Sequence, residues 1–355
     1  MSREDEIVGF LASAGWGDAA RARLPGDAST RSYERMTLNG RSAILMNQPR
    51  SVEAAPCPPE ANAAERHKLG YNALARLAAG RVDAFVACAR YLGSRGFSAP
   101  EIFHAEPEAG LAIIEDLGDG LYAQLIDGGV AEGPLYDAAI DALLVLHAEP
   151  PPDVLPGGWP LLSYDALALS TAHDIIIEWM PQFRPVTFDD VAIADWEAIW
   201  APIRAHGEAN ASVFCHRDYH AENLIWLPER AGAARVGLLD FQDAVKAHPA
   251  WDLSMLLHDA RRTVSANLEA ACLERYLATA GVDRAAFLAD YHALGALNIV
   301  RILGIFARLV TRDSKPRYAA FMPRLWTYLD RCLADPALAR LKAWFDAYLP
   351  MEART

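Results

Sequence analysis

Three polar side chains in two short stretches could carry out a reaction. The first stretch is Val213-Phe214-Cys215-His216-Arg217-Asp218-Tyr219-His220-Ala221-Glu222-Asn223-Leu224-Ile225, and the second is Val236-Gly237-Leu238-Leu239-Asp240-Phe241-Gln242-Asp243. Each begins as a short apolar run and ends in a polar cluster, the pattern of a buried strand that delivers side chains to a loop. Asp218 and Asn223 lie five apart, and Asp240 follows 17 residues later. Phosphoryl transfer asks few reactive groups of a protein. It needs a carboxylate to orient an attacking hydroxyl and take its proton, and oxygen ligands to hold Mg2+ on the phosphates. Asp218 can supply the first, and Asn223 and Asp240 the second. Mg2+ is satisfied by one or two carboxylates together with phosphates and waters, so this sparse set suffices.

The elements that must position these groups follow from periodicity and breakers. Residues 1–20 predict a short helix with Ile7, Phe10, Leu11 and Ala14 at helical spacing. A small-residue turn, Gly26 to Arg31, precedes strand-like Tyr33–Leu38 and Ser42–Met46, which predicts a hairpin. Residues 51–62, rich in Pro and Ala, read as a loop, and 63–79 and 83–95 as helices. Ile102–Ala105 and Leu111–Ile114 read as strands, and the polar, glycine-bearing run 115–120 as an interdomain hinge. Most of the rest is helical, apart from Val213–Cys215 and Val236–Leu239. The expected organisation is a strand-rich unit over 1–115 and a larger helical one over 116–355, with a ligand cleft between them.

The totals narrow the class. The chain has 355 residues, 52% of them hydrophobic and 22% charged, a globular composition with enough apolar groups to bury a core. Its net charge of -13 gives no surplus of cations for binding a nucleic-acid duplex. Five cysteines at wide spacings, with no Cys-x-x-Cys pair, speak against a disulfide framework or a thiolate zinc site and for a reduced cytoplasmic protein. No signal peptide is visible. The apolar run 294–310 is interrupted by Asn298, Arg301 and Arg308 and reads as a core helix, not a membrane span. His216 and His220 are four apart, but no His-Glu-x-x-His is present, so zinc is the weaker reading of that pair.

His216-x-Asp218-x4-Asn223 followed by Asp240 resembles the protein-kinase-like phosphotransferases, in the aminoglycoside and choline kinase branch. His220 and the run Pro249-Ala250-Trp251-Asp252-Leu253 look like that branch too. The segments Gly26-Asp27-Ala28-Ser29-Thr30-Arg31-x-Tyr33, Ile114-Glu115-Asp116-Leu117-Gly118-Asp119, Leu257-His258-Asp259-Ala260-Arg261-Arg262 and Arg312-Asp313-x-Lys315-Pro316-Arg317-Tyr318 are similar to the bacterial N-acetylmuramate/N-acetylglucosamine anomeric kinases. The resemblance implies an α+β, bilobal protein-kinase-like fold, with a small antiparallel-sheet N-lobe that binds nucleotide and a larger helical C-lobe. It implies ATP and Mg2+ as cofactors and a small amino sugar as substrate, with no nucleic acid, membrane or obligate protein partner. Asp218 would be the catalytic base, with Asn223 and Asp240 on the metal. Ser29, Thr30 and Arg31 would cover the ATP phosphates, and the backbone of Glu115 to Leu117 would meet the adenine. His216 would be a prop, and Asp252 would tie the catalytic loop in place.

One feature departs from that branch. Met46 stands where a strand lysine is expected, and the helix 83–95 contains no Glu to pair with one. A guanidinium binds phosphate oxygens in a bidentate way, so Arg31 is the expected substitute cation. On the acceptor side, His220, Arg261 and Arg301 are candidate substrate contacts, since the lactyl carboxylate of N-acetylmuramate invites an arginine. Surface charge is the plainer reading of those arginines. Two alternatives stay open: a kinase of another small hydroxyl compound (aminoglycoside, choline or homoserine) and a nucleotide-binding pseudokinase regulator.

Overall fold

In the computed structural model, which describes residues 2–25, 31–49 and 56–354, the first helix begins with reciprocal capping. The Asp5 amide donates to the Ser2 hydroxyl and the Ser2 amide to the Asp5 carboxylate, which starts the helix Arg3–Ser13. Five strands follow: β1 (Ala20–Arg23), β2 (Ser32–Leu38), β3 (Arg41–Asn47), β4 (Ile102–Glu106) and β5 (Leu111–Ile114). They form one antiparallel sheet in the order β1-β2-β3-β5-β4. Asn39 and Gly40, with φ of 51° and 77°, make the tight β2–β3 turn whose left-handed backbone matches strand twist. Alternation divides the sheet. Met36, Ala43, Leu45, Leu111 and Ile113 pack against Ile7, Phe10 and Leu11 of the first helix. Ile44, Met46, Ala112 and Ile114 are buried on the other face.

Six further short strands are β6 (Val154–Leu155), β7 (Trp159–Pro160), β8 (Val213–Cys215), β9 (Leu224–Trp226), β10 (Val236–Leu238) and β11 (Val245–Ala247). Each pairs with one other: β6 with β7, β9 with β10, and β8 with β11. The expected strands at Val213 and Val236 are therefore present. Their partners β9 and β11 were not expected.

Contacts group the chain into two compact units, neither of them contiguous: Met1–Ala142 with Pro152–Leu161 and Glu222–Ala244, and Leu143–Pro151 with Leu162–Ala221 and Val245–Thr355. This differs from a single break after residue 115, and the run 115–120 lies inside the first unit. The β9–β10 hairpin explains the difference. The Leu238 amide donates to Ser98 O at 2.9 Å, the Trp226 amide to Gly120 O at 2.7 Å, and Arg230 Nη2 to Glu115 Oε1 at 2.5 Å. The helix expected over 63–79 also stops early, at Leu69. Gly70 takes φ of 88°, and a short turn of helix, Tyr71–Leu74, follows.

The second unit is helical. The helix Arg284–Thr311 packs against Ala166–Phe183, Ala250–Leu257 and Met322–Cys332. By length and composition it could span a bilayer, yet most of its apolar window is buried inside the protein, as expected of a core helix. It comes close to Ala166–Phe183 at Gly304, where a Cβ would stand 2.6 Å from both Ile175 Cγ2 and the Ile176 amide nitrogen. Backbone cannot yield as a flexible side chain can, and overpacking of this kind costs about 1–3 kcal/mol. Gly304→Ala is expected to lower the thermal unfolding midpoint accordingly, and an unchanged midpoint in a calorimetric scan would contradict this packing.

Candidate active site

In the second unit the site grows from β8. This strand is fully buried, pairs with β11 and runs into the polar loop that starts at His216. The loop turns sharply at Arg217, a non-glycine residue at φ 77°. Such a conformation costs of order 1–3 kcal/mol and persists only where surroundings impose it. Here Asp252, 1% exposed on the helix Ala250–Leu257, imposes it. Its Oδ2 accepts from the His216 amide at 2.7 Å, and its Oδ1 from the Arg217 amide at 2.8 Å and the Cys215 thiol at 3.2 Å. Burial disfavours the Asp252 charge. His147, with Nε2 3.9 Å from Oδ2, together with His216 and the loop amides more than offsets this and holds the carboxyl below the usual carboxylate range.

Asp218, with its side chain about one-third exposed, follows that turn. Its Oδ1 lies 4.0 Å from Arg301 Nη2, and its carbonyl accepts from the His220 amide at 3.1 Å. His220 is buried, with Nε2 3.5 Å from Arg261 Nη1. The structure thus joins Asp218 to Arg301 and His220 to Arg261. The Arg261 amide donates to Asp259 Oδ1 at 2.8 Å, which shapes the segment that follows His258. Beneath it lies a buried network: Glu269 Oε1 meets His258 Nε2 at 3.1 Å and accepts from Tyr291 Oη at 2.9 Å, while Oε2 accepts from Arg331 Nη1 at 2.8 Å.

In the first unit, Asn223 leads into β9, and its carbonyl accepts from the Leu239 amide at 2.9 Å. Asp240 follows β10 with φ of 61°, a second left-handed non-glycine residue. Its Oδ1 accepts from Arg31 Nη1 at 2.9 Å and from Gln242 Nε2 at 3.0 Å. Arg31 also donates from Nη1 to Tyr33 Oη and to Gln242 Oε1, both at 3.0 Å, and from Nε to Gln48 Oε1 at 3.1 Å. Burial weakens the Arg31 cation, but Tyr33, Asp240 and Asp243 more than restore it, so its pKa stands above the usual arginine value. Tyr33 is the cross-strand partner of Met46, and such partners share a face. The guanidinium therefore reaches the face of the sheet where the lysine was expected. Tyr33, Gln48 and Gln242 escaped sequence reasoning. The signal for two of them was their position inside runs already singled out.

Of the remaining expected nucleotide contacts, Ser29 and Thr30 lie outside the described residues. The Glu115 amide is taken up by Glu101 O at 2.8 Å, and the Leu117 side chain is buried close over Gly237. For Mg2+, the donors at Asn223 and Asp240 are an amide and a carboxylate, the hard oxygen ligands that ion takes. Asp240 Oδ2 has no hydrogen-bond partner among the described residues and the side chain is 46% exposed, so the chemistry of Asp240 suits such an ion.

Among the described residues, the one His/acid group tight enough to hold a metal is His206, His248 and Asp290, not His216 and His220. Within it, His248 Nδ1 accepts from the Ala250 amide at 3.1 Å. This leaves the ring proton on Nε2, which faces Asp290 Oδ2 at 3.2 Å, so the group is a hydrogen-bonded pair around a carboxylate.

Residues 21–297 match the phosphotransferase enzyme family. The chain belongs to that family. It is 70% identical over 356 residues to the N-acetylmuramate/N-acetylglucosamine kinase of Caulobacter vibrioides, covering 99% of this chain and 98% of that protein. It is 28% identical over 354 residues to the kinase of the same name from Pseudomonas putida, covering 95% and 92%. Among solved structures it is similar to a choline/ethanolamine kinase family protein from Mesorhizobium loti, with a TM-score of 0.57 and 16% identity over 97% of this chain and 99% of that one. It is also similar to a spectinomycin phosphotransferase, with a TM-score of 0.51 and 13% identity over 96% and 98%. The α+β architecture expected of this phosphotransferase family, an antiparallel sheet with a helical majority, is the one found.

The Glu269 network carries a pH signature. Burial raises the Glu269 pKa, and His258, Tyr291 and Arg331 lower it further than that, to about 2 from an ordinary 4.5. A folded-state pKa below the unfolded one gives stability that is complete above pH 4.5 and lost as pH falls towards 2. The stability lead of the wild type over Glu269→Gln should therefore shrink on acidification across that window. A lead that stays constant in denaturant titrations from pH 5 to pH 2 would contradict the network's ionisation.

Proposed function

We propose that this phosphotransferase moves the γ-phosphoryl group of ATP to the anomeric hydroxyl of N-acetylmuramate and N-acetylglucosamine, in the cytoplasm, where it returns cell-wall sugar to use. The observation that carries this reading is the 70% identity, across nearly the whole of both chains, to a kinase of that name. The residues of the loops agree with it. Asp218 orients the sugar hydroxyl and accepts its proton as the oxygen attacks the phosphorus in line with the departing ADP oxygen. Asn223 and Asp240 would hold Mg2+, which, when bound, offsets phosphate charge. Arg31 takes the part of the missing strand lysine: a cation paired with Asp240 and hydrogen-bonded to Tyr33, with the planar fork that suits phosphate oxygens. Asp252 acts on none of the reactants and keeps the Asp218 loop in its turn.

Two substitutions test the assignment. A positioned general base contributes about 10^2–10^4-fold, so Asp218→Asn should lose at least ~10^2 in kcat while its thermal unfolding stays that of the wild type. Coupled ADP release with either sugar measures the loss, phosphorus NMR of the product identifies the esterified oxygen, and full turnover would reject Asp218 as the base. Arg31→Met should raise the KM for ATP about tenfold or more and leave the KM for sugar near its starting value. An unchanged ATP KM would remove Arg31 from the nucleotide site.

A further inference from the structure

Arg301 is held in a way that its ion pair with Asp218 does not explain. It sits midway along the helix Arg284–Thr311, and its side chain is 12% exposed. Its Nε donates to Asn298 Oδ1 at 3.0 Å, and the fully buried Asn298 in turn donates to Met255 Sδ at 2.8 Å. Nη2 lies 3.7 Å from the same sulfur, and the guanidinium carbon is 5.8 Å from the Trp251 ring centre. The head is thus fixed from three sides. Its nearest carboxylate oxygen, on Asp218, is 4.0 Å away, well beyond the ~2.7–2.9 Å of a charge-assisted hydrogen bond. Nη1 makes no hydrogen bond among the described residues. A nearly buried cation left short of a closed partner is costly unless something else completes its shell. Arg261 stands against His220, two residues beyond Asp218, so the second unit presents cations around its reactive acid although the chain as a whole carries a charge of -13.

We propose that Arg301 is the specificity-determining residue for an anionic acceptor and receives the lactyl carboxylate of N-acetylmuramate. This rests on the reading above that the acceptor is an amino sugar. N-acetylmuramate is N-acetylglucosamine with a lactyl ether on its 3-hydroxyl, so the two substrates differ by one carboxylate. A hydroxyl at hydrogen-bond reach of Asp218 places the sugar ring beside the guanidinium. The fork then accepts the carboxylate in the bidentate geometry that arginine offers and lysine does not. The same cation repels choline and aminoglycosides, which bring positive charge to the acceptor site.

The test compares initial rates of ADP release by the full-length wild type, Arg301→Gln and Arg301→Lys on both sugars, and adds the wild type on the neutral lactyl-amide of N-acetylmuramate. Arg301→Gln removes a charge-assisted hydrogen bond that only one of the two sugars can make. It should therefore lower kcat/KM for N-acetylmuramate about 10- to 100-fold more than for N-acetylglucosamine. The drop should be smaller in Arg301→Lys. The lactyl-amide should be a correspondingly poor substrate of the wild type, and this comparison decides the matter even if Arg301→Gln does not fold. A parallel loss on both sugars, carried by kcat, would make Arg301 a positioning residue for Asp218 and overturn the specificity claim alone, as would equal rates on acid and amide. Turnover of neither sugar by the wild type would sink the kinase reading itself.

Discussion

The bonds from the Asp252 carboxylate to the amides of His216 and Arg217 fix the turn that leads to Asp218, on which the rest of the loop depends. A left-handed turn at an arginine is not a conformation that the local sequence prefers, and a buried carboxylate is expensive alone. Together they offset one another. The amides satisfy the charge, and the charge fixes the amides. Asp218 inherits its place from that exchange one residue upstream, and its side chain stays partly open to solvent.

A comparable arrangement holds Asp240 in the first unit with different chemistry. Asp240 also follows a short strand in left-handed backbone, and its Oδ1 is taken by Arg31 and Gln242. Met46 is packed into the sheet with 1% of its surface exposed, so the strand position usually given to a lysine here serves the core. The Arg31 guanidinium, from the segment ahead of β2, is steadied by the phenol of Tyr33, the residue that pairs with Met46 across the ladder. The cost of burying a guanidinium at that point is met by two acidic neighbours and two side-chain amides.

The loops that carry the proposed reactive set were legible because their pattern is local. Asp218, Asn223 and Asp240 stand at fixed distances in chain positions that end apolar runs, and runs of that kind survive as strands β8 and β10. What the sequence hid depends on pairing between distant segments. β9 and β11 are three residues each and exist through their ladders with β10 and β8. The boundary expected after residue 115 failed to anticipate that Glu222–Ala244 would hydrogen-bond to Ser98, Glu115 and Gly120. Gly70 was visible, yet the surrounding helical pattern outweighed it. Arg301 was recognisable as a charged interruption in an apolar helix, but its alignment with Asp218 belongs to tertiary packing that no periodicity reports.

The interleaving of the two units has a consequence for biosynthesis. The first unit is not whole when its first 142 residues have left the ribosome, because the hairpin that hydrogen-bonds to Ser98 and Gly120 is encoded much later. Until residue 244 emerges, those backbone groups must be served by water or by a temporary partner, and the early segment waits as an unfinished fold. A frameshift or a stop between these points leaves no independently closed module.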